Sequence, residues 1–316
     1  MRRLLLLCLL GAAPAAAEYP DRPIRFIVPQ AAGSATDNVV RLLAPEMSKH
    51  LGQPVVVENR PGGALTIGID ATAKAPPDGY TICAPDGNIM TLNPYAYSKL
   101  PYEPLEFVPV VHIAELEQSI VIQSSLPVKN MKELLDYARA KPGQVSWGSA
   151  GAGSTMHLYL EWLQTKTGVR FNHVPYKGPQ ELLRAMTAGE VEVTNLTTGT
   201  IAPFVRSGKL RMIAVVTGAK RTAFALDTPS FASQGFELDF RNWLLLVFPK
   251  GTPSEFVNRW NADVNKLLND PAFVQKVMTS QALTPTGGTP QELAAVLEQK
   301  RKLASDLAKM ANLKYD

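Results

Sequence analysis

From Ile24 onward, apolar runs of strand length keep alternating with stretches of helical period, and this alternation leaves few architectures open. Ile24 to Pro29 reads as a buried strand, and Val39, Leu43, Met47 and Leu51 mark a helix that Gly52 stops. Val55 to Val57 and Tyr80 to Ala84 supply two more strands, with a Pro61-Gly62-Gly63 turn and a short helix to about Lys74 between them. The middle of the chain repeats the scheme. A strand at Ile120 to Gln123 precedes a helix from Met131 to Ala140, closed by Pro142-Gly143. A strand at Val145 to Gly148, a helix from Ser154 to Thr167 and a strand near Val174 come next. A helix near Glu181 to Ala188 and strands at Val191 and Leu210 to Val216 complete it. Such alternation predicts an α/β fold of parallel sheets covered by helices on both faces.

The last quarter carries two similar helix starts, Thr252-Pro253-Ser254-Glu255 and Thr289-Pro290-Gln291-Glu292. Each predicts a capping box, with Thr at the N-cap, Pro at the first helical position and Glu three residues on. No Gly/Ser linker separates the two α/β halves. The strands at Val108 to Ile113 and Trp243 to Phe248 are the expected crossings between them. That places a discontinuous first domain at 18–115 plus 240–316 around a second domain at 116–239.

Residues 1–17 follow another pattern. Arg2-Arg3, the apolar run Leu4 to Leu10 and then Ala15-Ala16-Ala17 predict a cleavable secretory signal peptide, too short to span a bilayer. Cleavage after Ala17 removes two arginines and no acid, which lowers the formal net charge of +4 by two. A nearly neutral chain has no electrostatic reason to bind nucleic acid or an anionic membrane. Cys8 lies inside the apolar run, too early for lipid attachment, so Cys83 is the only cysteine left after cleavage. Its strand context predicts a packed thiol rather than a nucleophile, and one thiol makes no internal disulfide.

Catalytic signals are thin. The four histidines, His50, His112, His157 and His173, form no ligand-like cluster in the sequence. His157 and Glu161 share a helix face without a third ligand, so no metal is expected. Trp147 occupies the first glycine position of a nucleophile elbow around Ser149, which argues against a hydrolase. The turn from Gly148 to Thr155 follows a strand and opens a helix. It copies P-loop glycine spacing, but Ser154 stands where the phosphate-gripping lysine belongs. Met156 replaces the third glycine of a dinucleotide fingerprint. No cofactor is expected. Small residues still let backbone approach a ligand, and N–H groups at a helix start favour a modest anion such as a carboxylate. A plain strand–helix turn is the competing reading. The turn from Pro29 to Asp37 is of the same kind, with Asp37 or Thr36 placed to cap the helix. Two such turns, one in each domain, are placed to face one another across a cleft beyond the carboxyl ends of the strands.

Several segments resemble one family in the right order and over nearly the whole mature chain. They are Tyr19-Pro20-x-Arg22-Pro23-Ile24, Val55 to Gly62, Pro77-Asp78-Gly79-Tyr80-Thr81 and Leu100-Pro101-Tyr102-Glu103-Pro104. Val174-Pro175-Tyr176-Lys177-Gly178 and Ser207-Gly208-Lys209-Leu210-Arg211 continue the match. The chain thereby resembles the Bug family, the extracytoplasmic solute receptors of tripartite tricarboxylate transporters. The resemblance implies a two-domain periplasmic-binding-protein fold of the second type, with a hinge and an interdomain ligand cleft. It implies a periplasmic receptor that closes over a small organic carboxylate (di-, tri- or aromatic), delivers it to membrane permease subunits and carries no catalytic machinery. A monomer is expected. An exported α/β enzyme acting on a carboxylate, or a receptor feeding a sensor kinase, are the rival readings.

Site residues carry over motif by motif. Gly33, Ser34, Ala35 and Thr36 resemble the first-domain ligand loop, with Ser34 in place of the usual second glycine. Ser149, Gly151, Gly153, Ser154 and Thr155, with His157, resemble the second-domain loop; His157 is placed either at the ligand or in buried structure. Tyr176 and Lys177 resemble another cleft-lining segment, with Lys177 as a counter-charge. Asn88 follows Asp86-Gly87 at the exit of the third strand, where the family more often shows small hydroxyl residues. Asp86 near an anionic ligand would repel it, so it is expected to turn away or to cap a helix. Leu196, followed by Thr197 and Thr198, stands where the family often has an acid. A carboxylate there would pair with a substrate ammonium, so leucine predicts a non-amino carboxylate. Trp243 is a candidate stacking face or a core residue.

Overall fold

The computed structural model describes residues 19–216, 227–238, 240–279 and 282–314, and the expected leader over residues 1–17 lies outside them. The first stretch gives β1 (Ile24–Val28), α1 (Ala35–Leu51), β2 (Val55–Asn59), α2 (Thr66–Ala73), β3 (Thr81–Cys83), α3 (Gly87–Ala96) and β4 (Val108–Leu116). The middle gives β5 (Gln118–Gln123), α4 (Met131–Ala140), β6 (Ser146–Ser149), α5 (Thr155–Thr167) and β7 (Asn172–Pro175). It continues with α6 (Pro179–Ala188), β8 (Val193–Thr197), α7 (Thr198–Arg206) and β9 (Leu210–Val216). The last stretch gives β10 (Trp243–Phe248), α8 (Ser254–Leu268), α9 (Pro271–Phe273), β11 (Leu283–Gly287) and α10 (Pro290–Met310).

The strands form a six-stranded sheet, ordered β11-β4-β10-β3-β1-β2, and a five-stranded sheet, ordered β7-β6-β8-β5-β9. Each sheet with its helices makes one lobe. In the first, β1 lies parallel between β2 and β3, with Phe26 opposite Val57 and Ile82. The expected parallel pairing holds for these strands, but the sheet is mixed, because β10 runs antiparallel to β3 and β4, and β11 antiparallel to β4. In the second lobe β6 is parallel to β7 and β8, while β5 is antiparallel to β8 and β9. The physical reason is connectivity. Parallel neighbours need a crossover helix between them, and β5 and β10 are entered directly from the other lobe.

The expected crossings are also corrected. Val108–Leu116 and Trp243–Phe248 lie wholly within the first sheet, and the passages between lobes are the short segments around Glu117 and Asn242. These are tied to each other and to the second lobe: the Leu116 N–H donates to the Asn242 carbonyl at 2.8 Å and the Thr198 N–H to the Glu117 carbonyl at 2.9 Å. Beside them Glu115 forms ion pairs with Arg241 and, at 3.7 Å, with Lys300.

All six residues of β10 are buried, and behind them Trp260 packs edge-on to Phe26 and Phe248. The second lobe centres on buried Trp147, whose indole N–H donates to the Met156 carbonyl at 3.1 Å. Helix α10 belongs to both cores. Its Leu293 and Leu297 pack with Trp243 and Leu245, while Ala304, Leu307 and Ala308 pack with the second-lobe residues and with Leu92 and Ala96 of α3.

The capping box at Thr289 is present in full, with Thr289 and Glu292 satisfying each other's N–H groups. The one expected at Thr252 is not. There Pro253 is the N-cap, and the Thr252 hydroxyl donates back to the Pro249 carbonyl at 2.9 Å. Cys83 is buried as expected, and burial pushes its thiol up to about 12, far from a thiolate at neutral pH. Among the described residues no helix is long and apolar enough to cross a membrane.

Candidate functional site

The two lobes enclose a cleft in two connected parts, cavities of about 460 Å³ and 350 Å³ that share Gln30, Asp86, Met156, Pro179 and Asn242. This is the size range of small-molecule sites. Five helix starts border it: α1 through Ser34 to Thr36, α3 through Asp86, α5 through Ser154 to Met156, α6 through Pro179 and Gln180, and α7 through Thr197 to Thr200. A helix start carries roughly half a positive charge, so the convergence of five favours an anion without requiring an arginine, although side chains such as Asp86 and Ser34 already take some of their N–H groups. The walls of the larger part include Leu116, Met156, Leu183 and Leu196. Its shape suits an apolar body with a charged end.

The first loop is built from Gln30 to Thr36. Ser34, not Asp37 or Thr36, is the N-cap of α1: its hydroxyl accepts the Asp37 N–H at 3.2 Å. Asp37 instead braces the loop from behind. Its buried carboxylate accepts the Gly33 N–H at 2.8 Å, the Arg41 guanidinium at 2.9 Å and the Asn59 amide at 2.8 Å. Burial alone would raise its pKa, but Arg41, the Gly33 N–H and Asn59 together hold it below the usual carboxylate value. Because that folded value is depressed, Asp37 stabilises the fold above its ordinary titration and loses the contribution as pH falls through the folded pKa. Asp37→Ala is expected to cost on the order of 2–4 kcal/mol at pH 7 by leaving buried donors unmatched. Chemical unfolding of both proteins checks this, and the difference should close as pH falls below about 4.

The second loop, Ser149 to Ser154, is held by its own side chains. The Ser154 hydroxyl caps α5 and donates to the Gly151 carbonyl at 2.7 Å. Gly151 and Gly153 sit at φ 101° and 75°, a region that favours glycine. The Gly153 N–H donates to His157 Nδ1 at 3.1 Å, and the His157 ring stacks on His173 at 4.5 Å. His173 Nε2 in turn meets the Ser149 hydroxyl at 2.7 Å. Burial lowers both histidine pKa values, which keeps the rings neutral and leaves His157 Nδ1 free to accept. His157 is therefore a brace for the loop and does not line the cleft.

Of the other expected site residues, Gly33, Ser34, Ala35, Thr36 and Thr197 line the larger part, and Gly153, Ser154, Thr155 and Lys177 the smaller. Ser149 and Thr198 are buried, Thr198 beside the Ser119 hydroxyl at 2.8 Å. Gly151 turns the loop toward Tyr176, which stands behind it and whose N–H donates to the Ser149 carbonyl at 2.9 Å. Asn88 is buried in a bridge between lobes. Its amide donates to Asn242 Oδ1 at 2.9 Å and to Thr155 at 3.3 Å, and the Thr155 hydroxyl donates to Asn242 Oδ1 at 2.7 Å. Trp243 proves a core residue: it is fully buried against Gly87 and edge-on to His112. Asp86 caps α3, accepting the Asn88 and Ile89 N–H groups at 2.8 and 3.3 Å, yet it also lines both parts of the cleft. Sequence reasoning missed Gln30, Asn38, Gln180, Thr200 and Asn242, polar residues without a local motif. Among the described residues no group of three potential metal ligands converges.

Two α/β lobes joined by short crossings, with helix starts facing a shared cleft, define a solute-binding protein of the periplasmic type. The chain matches the tripartite tricarboxylate transporter family receptor over residues 39–313 and belongs to that family. It is similar to an R. palustris protein solved with adipate, at 32% identity and TM-score 0.87, over 94% of this chain and 100% of the other. It is similar to the periplasmic binding protein BugD, at 31% identity and TM-score 0.82, over 94% and 100% of the two chains. MatC from Rhodopseudomonas palustris, solved with bound malate, shares 27% identity and TM-score 0.80 over 92% and 99%. The family and these relatives are solute-binding receptors.

Proposed function

We propose that the chain is exported through its leader, holds one small organic carboxylate between its lobes and delivers it to the membrane permease subunits of a tripartite transporter. The lobes correspond to domains at 18–115 plus 240–316 and at 116–239. The observation that carries the ligand class is the cleft itself, with five helix starts at its rim and Leu116, Met156, Leu183 and Leu196 on its walls. The adipate and malate of the two R. palustris relatives support the same class. Gly33 to Thr36, Thr197, Gly153, Ser154, Thr155 and Lys177 face the ligand, while Asn88, Ser149, Gly151, His157, Tyr176 and Thr198 shape the loops that present them.

A thermal-shift screen of adipate, succinate, malate and benzoate tests this reading. A true ligand at a hundred times its Kd should stabilise the protein by about 2.7 kcal/mol. Closure of the lobes by a hinge motion should appear as a smaller radius of gyration in solution scattering at saturation. No stabilisation by any of the four acids would reject a carboxylate receptor of this type.

A further inference from the structure

A carboxyl group in a cleft built for carboxylates demands a physical account, and Asp86 is the only acidic residue among the described residues that line either part. It is fixed by its backbone, which bridges to Leu244 of β10, and by its Oδ1, which accepts two N–H groups of α3. No hydrogen bond among the described residues reaches Oδ2. We propose that Asp86 takes up a proton when the ligand enters and donates its O–H from Oδ2 to a carboxylate oxygen of the ligand. The residue is thus a specificity-determining donor rather than a repelling charge, a role that rests on the carboxylate reading above.

The surroundings support it. Burial already pushes the Asp86 carboxyl up to about 6, despite the two N–H groups that favour its charged form. A second carboxylate at hydrogen-bond distance raises it further, because two like charges that close share one proton. The resulting O–H···O⁻ bond is of the short, charge-assisted kind. Few fixed charges on neighbouring elements oppose this. Neither α3 nor β10 contains a charged residue. On α1, Asp37 is engaged by Arg41 and Asn59. On α10 and β10's lead-in, Lys300 and Arg241 pair with Glu115, and Arg301 lies near Tyr95. Lys177, at the second-lobe rim, is the one cation among the described residues that lines the cleft, and the backbone N–H of Lys177 donates to Glu181. His157, behind the α5 loop, is kept neutral by burial.

Titration calorimetry with adipate, succinate, malate and benzoate, from pH 6.5 to 8.5 in two buffers of different ionisation heat, measures the linkage. Every carboxylate of the four acids is ionised in free solution over that range, so a proton taken up on binding enters the complex, and its loss in Asp86→Asn assigns it to the Asp86–ligand pair. The expected result is uptake approaching one proton per ligand at pH 8, with affinity rising about tenfold per unit as pH falls from 8.5 to 7. Asp86→Asn keeps an N-cap acceptor and offers a permanent N–H donor. It should bind without proton uptake and more tightly than the wild type at pH 8. Binding by the wild type with no uptake and a flat pH profile would overturn the role of Asp86 while leaving the receptor intact, as would weaker binding by Asp86→Asn at every pH. Failure of all four acids to bind either protein would overturn the carboxylate reading itself, and this role with it.

Discussion

Gly87→Ala is expected to destabilise the protein by about 3 kcal/mol, near the upper end of the usual cost of overpacking. A Cβ at Gly87 would lie 2.0 Å from Cε2 and 2.2 Å from Cδ2 of Trp243. The indole has no room to retreat, being fully buried and held edge-on to His112 at 4.9 Å. For a chain of this size the melting temperature should fall by roughly 2–4 °C per kcal/mol. Ligand affinity should fall as well, because α3 carries the Asp86 cap and the Asn88 bridge into the cleft. Trp243→Leu in the same background removes the clash and should recover much of the loss, a coupling that a double-mutant cycle reads directly. A Gly87→Ala protein that melts with the wild type would mean that α3 slides freely along β10.

The second large effect concerns ligand class. Succinate should bind at least on the order of a hundredfold more tightly than aspartate, since an unpaired ammonium in a desolvated cleft costs several kcal/mol. Leu196 presents an apolar side chain to the cleft, and Thr197 beside it offers only a hydroxyl. On the reading above Asp86 shares a proton with a ligand carboxylate, which leaves it no net charge to pair with the ammonium, while its Oδ1 serves the start of α3. Calorimetry on the matched pair decides the matter. Tighter binding of aspartate would show Asp86 ionised against the ammonium group.

The sequence made some elements plain and hid others for identifiable reasons. Helix α4 is read to the residue, because Met131, Leu134, Leu135 and Ala138 repeat on one buried face and Asn130 caps it. Helix α3 escaped notice. It opens with glycine, contains Pro94 and is buried on most sides, so no polar stripe marks its period. Helix α7 is hidden in the same way by Gly199 and Pro203. The Thr252 motif has the residues of a capping box, and only the preceding turn at Pro249 diverts its hydroxyl. Strand direction was legible where helices link neighbours, as in the parallel β1, β2 and β3 and β6, β7 and β8, but not at β5 and β10, since a strand reached from the other lobe has the same composition as one reached through a helix. In the site, the two glycine turns announce themselves because a strand runs straight into a helix start. Gln30, Gln180, Thr200 and Asn242 come from four separate segments and meet only in three dimensions. Apolar wall residues such as Leu183 and Met156 are indistinguishable in sequence from core.

Helix α10 buries its first turns in one core and its last turns in the other, so it acts as a leaf spring mounted across the joint. Any relative rotation of the lobes would have to flex this rod or slide one of its buried ends. The chain's last described residues, around Leu313, also pack against the second lobe although the strand just before α10 belongs to the first. A fluorophore attached at the C-terminus and another near Ile24 would therefore move with opposite lobes, turning occupancy of the cleft into a distance signal without any label touching the site.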